Sequence, residues 1–274
     1  FSRSGSATRI AKNGLITTVD SNVPRLEYPM IDGVVSGCPS LLLEDESINF
    51  IEYSEDFSNS YWTKTGSSIV SNNAISPDGS LNASKLVENT SGGGHYIVTA
   101  SNISVTSGSD YTQSIFVKPN GRTKIGFRDS QGSGKYASFN LANGTLIDEN
   151  GDAFSITSFP NGWYRISVTM DASGVNWKPT LYLLPDSYST GSPQLTTYTG
   201  NGSSGVYIWG AQIEQGSYPT SYIKSNSGNP TTRQAETCNG AGDAATFSDS
   251  EGVLMIEFAL QKGDNEARQF SLSN

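Results

Sequence analysis

Histidine occurs once in this sequence, at His95, and cysteine twice, at Cys38 and Cys238. A Ser-His-Asp triad needs a histidine beside an activated serine. No serine lies in a Gly-x-Ser-x-Gly elbow, so triad hydrolysis is excluded on supply. Two cysteines and one histidine this far apart in sequence make no zinc site. Gly92-Gly93-Gly94 and Gly132-Ser133-Gly134 fit neither a P-loop nor a dinucleotide fingerprint and read as turns. No apolar run approaches the roughly 20 residues that cross a bilayer as a helix. Charged residues are only 16% of the chain, basic runs are absent, and the net charge is -9 with a pI near 4.6. Such a surface repels phosphate, which excludes nucleic acid and anionic membrane as expected partners. The opening FSRSGSATRI has neither Met nor a signal-peptide pattern and reads as a processed product.

Glycine is abundant, at 29 of 274 residues, as are Ser, Thr and Asn, and there are 13 Tyr and 4 Trp. This is the composition of short strands joined by many turns, and no convincing helix pattern interrupts it. Expected strands cover residues 68–75, 83–88, 95–101, 111–118, 124–129, 136–141, 154–159, 162–171, 180–184 and 206–214. Turn signals separate them, among them Pro77-Asp78-Gly79, Asn120-Gly121, Asn143-Gly144 and Asn161-Gly162. Tyr164, Ile166, Val168 and Met170 share one face while Arg165, Ser167 and Thr169 take the other. Tyr111, Ile115 and Val117 also share a face, with Gln113 interrupting the apolar row. One inner and one wet face is the antiparallel pattern. The predicted fold is all-β: an antiparallel sandwich of the jelly-roll kind over residues 46–225, preceded by a β-rich attachment segment, 1–45, that packs on it. Asn13-Gly14 marks a hairpin in that segment, and SLLLE (40–44) reads as a strand buried on both faces. Residues 226–250 read as a linker. Residues 251–274 read as an incomplete C-terminal β segment, whose strand over 253–260 presents apolar residues that need cover.

Two stretches carry a resemblance. The opening INFIEYSEDFSNSYW (48–62) and the close GVYIWGAQIEQGSYPTSYI (205–223) resemble the carbohydrate-binding-type sandwich modules of bacteriophage tail and head-fibre proteins. Residues 6–28 and 37–45 resemble the segment that precedes the module there. The resemblance covers about residues 1–240. It implies a non-enzymatic structural virion protein (a fibre, spike or decoration subunit) with host-surface glycan as a candidate ligand. Its partners would be other virion proteins and copies of itself, usually in threes. Residues 251–274 resemble the start of a second, concanavalin-like sandwich. The alternatives are the secreted carbohydrate-binding module of a larger glycan-active enzyme, or a capsule depolymerase. The paired motifs place Phe50 and Trp62 in the core beside Trp209 and Ile213.

Aromatic rings are the strongest candidates for a ligand site, because sugars stack their C–H faces on flat rings. Trp177, in the polar SGVNWKPT stretch, is the expected exposed ring. Tyr188 and Tyr198 lie on a long connection of the kind that carries binding. Trp163 and Arg165 complete the candidate set, with core packing as the competing role for Trp163. Glycan modules of the resembling kind often hold a structural calcium, and here the matching oxygen ligands are Glu52, Glu55, Asp56 and Glu214. With Glu88, these are also the conceivable members of a glycosidase carboxylate pair, solvated surface carboxylates being the expected reading. Cys38 and Cys238 flank the sandwich, where a disulfide would join them and two reduced thiols are the alternative that assembly in a bacterial cytoplasm favours.

Overall fold

The computed structural model describes residues 1–130 and 134–239. Within that range it is a sandwich of two six-stranded antiparallel sheets. The first runs in the spatial order Ala153–Phe159, Trp163–Asp171, Asp110–Asn120, Gly205–Gln215, Leu81–Glu88, Ser67–Ile75. The second runs Thr145–Glu149, Tyr136–Asn140, Lys124–Asp129, Pro179–Leu184, His95–Thr99, Trp62–Thr65. The ten expected strands are all present. The two that sequence reading left out, Trp62–Thr65 and Thr145–Glu149, are the outer strands of the second sheet. The only helical turns among the described residues are 3-10 turns at Pro160–Gly162 and Pro193–Leu195.

Alternation builds the core. Ile97, Ile125, Phe127, Phe139, Leu181 and Leu183 from the second sheet meet Leu86, Ile115, Val117, Ile166, Val168 and Ile208 from the first. Trp62 and Ile213 belong to this core and Phe50 packs against it. Trp209 does not; it lies on the opposite side of the first sheet with Phe116, Phe159, Trp163 and Tyr222. The reason is a bulge. Gly210 has φ +64°, and the pairing with Asp110–Asn120 shifts register between Ser114 and Phe116. The extra residue lets Val206, Ile208, Ala211 and Ile213 all face the core, while Trp209 points outward.

That outer face is polar as expected, yet dry. Thr112, Ser114, Ser167, Thr169, Gln212 and Glu214 are all buried. The chain after residue 215 folds back over them: Thr112 and Thr169 donate to the carbonyls of Gly216 and Ser217 at 2.8 and 3.0 Å. The N-terminal segment covers the rest. Its first hairpin pairs Ala7–Ile10 with Ile16–Val19 around the Asn13-Gly14 turn, Ile16 joins the Trp209 cluster, and Thr8 donates to Tyr222 O at 2.5 Å.

Buried ion pairs join the segment to the chain end. Glu236 receives Arg3 Nη1 at 2.6 Å and Arg25 Nε at 2.7 Å, and pairs also with Arg25 Nη2. Glu44 receives Arg25 Nη2 at 2.9 Å and lies 3.2 Å from Arg233. Burial opposes the charge on Arg25, but its bonds to Glu236 and the charge of Glu44 outweigh that and raise its pKa. Burial likewise opposes ionisation of Glu44, and Arg233 and Arg25 prevail in holding its carboxyl below the usual value.

The structure corrects three expectations. The SLLLE strand is not buried on both faces: Leu41 and Leu43 are 43% and 46% exposed, and Glu44 is the buried residue. The charge network, not apolar packing, sets how that strand sits. Nor do residues 226–239 form a free linker. Thr231–Arg233 pairs with Ser47–Asn49, Ser2 bridges Thr237, and Arg233 and Glu236 are buried. Cys38 and Cys238 are both exposed and free, not bonded to each other; Thr237 is held by Ser2, whereas Cys38 follows the Met30–Ile31/Val34–Val35 hairpin. The expected C-terminal segment, 251–274, and the rest of the expected linker lie outside the described residues.

Two consequences are measurable. Glu236→Gln leaves Arg3 and Arg25 short of their counter-charge in the interior and should cost roughly 3–5 kcal/mol in urea unfolding. Glu27, which accepts from Ile10 N at 2.8 Å, has its pKa raised by burial from 4.5 to about 7. A raised carboxyl contributes stability that is complete below the unfolded value and is lost as pH climbs through the folded one. Glu27→Gln should therefore be close to neutral at pH 4.5 and stabilise by roughly 1–3 kcal/mol at pH 8. A pH-independent difference between the two melting curves would contradict this.

Candidate functional site

The outer face of the second sheet carries a pair of tyrosines. Tyr96 and Tyr182 sit directly opposite each other across neighbouring strands. Because Ile97, Leu181 and Leu183 fill the core, alternation turns both tyrosines outward. Their ring centroids are 4.9 Å apart with planes inclined at 42°. Tyr96 is half-buried and Tyr182 buried. Beyond Tyr96 lie its strand partner Thr65 and, one pair along, Thr63, both exposed. On the other side of Tyr182, in the next row, Arg128 opposes Thr180. Arg128 Nε donates to Gly134 O at 3.2 Å, and its Nη1 has no partner. Ser130 Oγ lies 2.6 Å from Thr180 Oγ1 and 3.4 Å from the Tyr182 hydroxyl. Burial raises the pKa of that hydroxyl, so the phenol stays neutral and able to donate.

The connection after Leu184 walls the other half of this face. Gly126, beside Tyr182 in the sheet, admits Pro193 so closely that an added Cβ would lie 2.3 Å from the proline ring. Only glycine fits there. Tyr188 is buried, its hydroxyl 2.9 Å from Ser138 Oγ. Thr190 Oγ1 and Gly191 N donate to Asp148 at 2.9 and 2.6 Å. Burial opposes the charge of Asp148, and those bonds more than offset it. Lys124 Nζ holds the connection by donating to Asp186 O and Tyr188 O at 2.6 and 2.7 Å. The result is a fixed wall beside a half-open tyrosine platform.

At one end of the sandwich Glu88 is the centre of a second polar cluster. It takes two bonds from Arg122, at 2.7 and 2.8 Å, one from the Tyr198 hydroxyl at 2.8 Å and one from Asn201 N at 2.9 Å. His95 is buried, with its ring 4.4 Å from that of Tyr198. Every acceptor position of Glu88 is directed at the protein, which makes this a strut for the 196–204 connection.

The expected site residues scatter. Trp177 is fully buried: its short strand pairs with Ile103–Ser104, and its Nε1 donates to Gln113 Oε1 at 3.1 Å. Its polar sequence neighbours suggested a loop, yet the indole needs only one polar partner, and Gln113 in the apolar row supplies it. Trp163 is buried with Nε1 on Ile75 O at 3.1 Å. Arg165 lies under the 217–223 chain, donating to Thr220 O and Ser114 Oγ, and burial lowers its pKa. Tyr198 is half-buried, but Arg122 lies 5.0 Å over its ring and His95 packs against it, so it offers no free stacking face. The five residues do not form one site. Tyr96, Tyr182 and Arg128 were missed, although alternation in HYIVT and TLYLL would have turned both tyrosines away from the core.

The proposed calcium ligands do not converge either. Among the described residues no three acidic, histidine or cysteine side chains form a metal-holding group. Glu214 accepts from Ser47, Gln212 and Thr220. Glu55 pairs with Lys224 at 2.8 Å and accepts from Tyr222, and Asp56 caps the turn at Ser58 and Asn59. Glu52 stands outside these groups. Protein donors fill the coordination space that a cation would need, so the residues do not fit a calcium site.

No protein-family model matches the chain, and no curated protein does. Several solved structures are similar to it. A carbohydrate-binding module, TmCBM61, in complex with β-1,4-galactotriose matches at 11% identity and TM-score 0.35, over 60% of this chain and 97% of the module. The enzymatically active domain of bacteriophage CBA120 tailspike protein 4 matches at 13% identity and TM-score 0.37, over 61% of this chain. This chain spans 21% of that tailspike domain. The module CBM6cm-2 of Cellvibrio mixtus lichenase 5A, in complex with cellotriose, matches at 10% identity and TM-score 0.32, over 63% of this chain and 97% of the module.

Proposed function

We propose that this chain is a non-catalytic glycan-binding sandwich that receives a sugar on the Tyr96–Tyr182 platform. The observation that carries the reading is the pair itself. The half-open Tyr96 ring, backed by the buried Tyr182 ring with centroids 4.9 Å apart, offers an apolar face on a rigid sheet, while the exposed Thr63 and Thr65 supply the polar contacts that orient hydroxyl groups. Sites on strands hold such geometry better than loops do. Among the described residues the carboxylates at the wall and in the second polar cluster are engaged: Asp148 is bonded to the wall, and Glu88 to Arg122, Tyr198 and Asn201. Binding of galactotriose, cellotriose and bacterial surface polysaccharides, measured by calorimetry, should weaken about tenfold or more in Tyr96→Ala, in line with the ~1–3 kcal/mol of a stacked ring. Incubation should release no new reducing ends. Undiminished binding in the variant, or sugar release, would overturn this reading.

A second reading, assembly with copies of itself and with other proteins in a bacteriophage appendage, is favoured by the N-terminal segment. Leu26, Ile31, Val34, Leu41 and Leu43 are 43–66% exposed on its small hairpins. Apolar residues gathered on one segment suit burial between subunits. Light scattering should give a trimer at micromolar concentration, and Ile31→Ser with Val34→Ser should dissociate it. A monomeric wild-type chain would remove this second reading and leave the first intact.

A further inference from the structure

A cleft of about 460 Å³ opens on the N-terminal hairpin, far from the alternation that builds the tyrosine platform. Its lining residues are Arg9, Ala11, Lys12, Asn13, Leu26 and Tyr28. We propose that it is a binding site for a carboxylate-bearing sugar unit, such as a uronate. This is a separate site from the Tyr96–Tyr182 platform and does not rest on it.

Charge is the first argument. In a chain of net charge -9, six cations, Arg3, Arg25, Arg122, Lys135, Lys224 and Arg233, are paired with carboxylates. Arg9 and Lys12 sit side by side in the cleft with no carboxylate in salt-bridge reach among the described residues. Glu27, the acid on the adjoining strand, is turned to the amide of Ile10. Hydrogen bonding is the second argument. Arg9 Nη1 is fixed on Leu26 O at 3.1 Å, while its Nε is buried and has no partner. Asn13 Oδ1 accepts Leu15 N at 3.1 Å, which directs the free amide N–H groups away from the turn. With Nε inaccessible and Nη1 on Leu26 O, the charged donors that the cleft offers are Arg9 Nη2 and the Lys12 ammonium, the complement of an anion. A guanidinium fork held at one end matches a planar carboxylate better than a lysine alone would.

Shape completes the class. The cleft falls in the volume range of small-ligand sites. Leu26 and the half-buried Tyr28 give it an apolar wall for the C–H face of a ring. The frame is set by backbone bonds, Tyr28 N to Ile10 O at 3.1 Å and Ala11 N to Leu15 O at 2.9 Å. A carboxylate carried on a sugar ring matches the guanidinium and the apolar wall together.

The test is calorimetry of the full chain with trigalacturonate and with galactotriose at low salt. Trigalacturonate should bind at this site, and its affinity should fall about tenfold in Lys12→Gln, an exposed turn residue whose change leaves the fold alone, and further in Arg9→Gln. Tyr96→Ala should leave trigalacturonate affinity unchanged, so failure here and failure of the platform are distinguishable. Retention of trigalacturonate binding in both cleft variants would overturn the proposal. So would its loss in Tyr96→Ala, or inorganic phosphate binding as tightly as the sugar acid.

Discussion

The constraint on which the architecture turns is the buried charge of Arg25. A guanidinium with no exposed side-chain surface must find carboxylates there or the fold cannot close around it. It finds two, Glu44 and Glu236, separated by nearly the whole described chain. Arg3 and Arg233 attach to the same pair, and Ser221 donates to Glu44 from N and Oγ at 2.8 and 2.6 Å. Five segments are thus locked at one point. Three guanidiniums against two carboxylates leave the cluster dependent on backbone carbonyls as well: Val19 O and Asp20 O for Arg3, Thr8 O for Arg25, Asp45 O for Arg233. The N-terminal segment, the sandwich and residues 217–237 meet in one buried ion-pair cluster.

That arrangement makes the two sides of the sandwich unlike. On the first sheet the covering chain seals a polar face, and the sealed groups are satisfied one by one: Glu214 by Ser47, Gln212 and Thr220, Arg165 by Thr220 and Ser114, Tyr222 by Glu55 and Ser54. Nothing of ligand size can enter without breaking several of these bonds. Among the described residues the connection over Gly126 and Ser138 covers part of the second sheet, and Tyr96, packed against the cluster of Tyr182, Leu184 and Tyr188, is left half-buried. Besides Phe154, 42% exposed on the edge strand of the first sheet, the half-open ring on the second sheet is Tyr96, and the accessible cations lie on the hairpin that the network holds in place.

Much of this was legible in the sequence, and the parts that were not share a cause. Period-2 alternation over 164–170 and 111–117, with Asn-Gly and Pro-Asp-Gly turns, gave the strands and their inward faces, because those signals are local. Trp209 went wrong because one glycine in the left-handed region, Gly210, reverses the alternation behind it. Trp177 went wrong because its partner Gln113 is 64 residues away. Leu41 and Leu43 looked buried, since nothing near them in sequence announces that Arg25 and Arg233 draw Glu44 inward instead. In each case a polar or backbone requirement satisfied at long range overrode the side chain's own preference. The shared-ligand reading of Glu52, Glu55, Asp56 and Glu214 failed similarly: nearness of motifs in a strand pairing does not make carboxylates converge once each has its own donors.

The distribution of aromatic residues also bears on how strongly any sugar could be held. All four tryptophans are 5% exposed or less, committed to the interior or to the sealed face. The platform is left with tyrosine, a smaller ring, and only Tyr96 of the pair is half-open. Each site is therefore shallow, and a shallow site on a rigid sheet recovers affinity most economically by repetition. When copies are linked, the second contact forms at an effective concentration set by geometry rather than by bulk ligand, and avidity rises by orders of magnitude without any new contact. The exposed apolar hairpins and the shallow tyrosine platform are then two sides of one physical argument. In the proposed assembly the hairpins would bring copies together, and the strength of the proposed platform would depend on how many copies act at once.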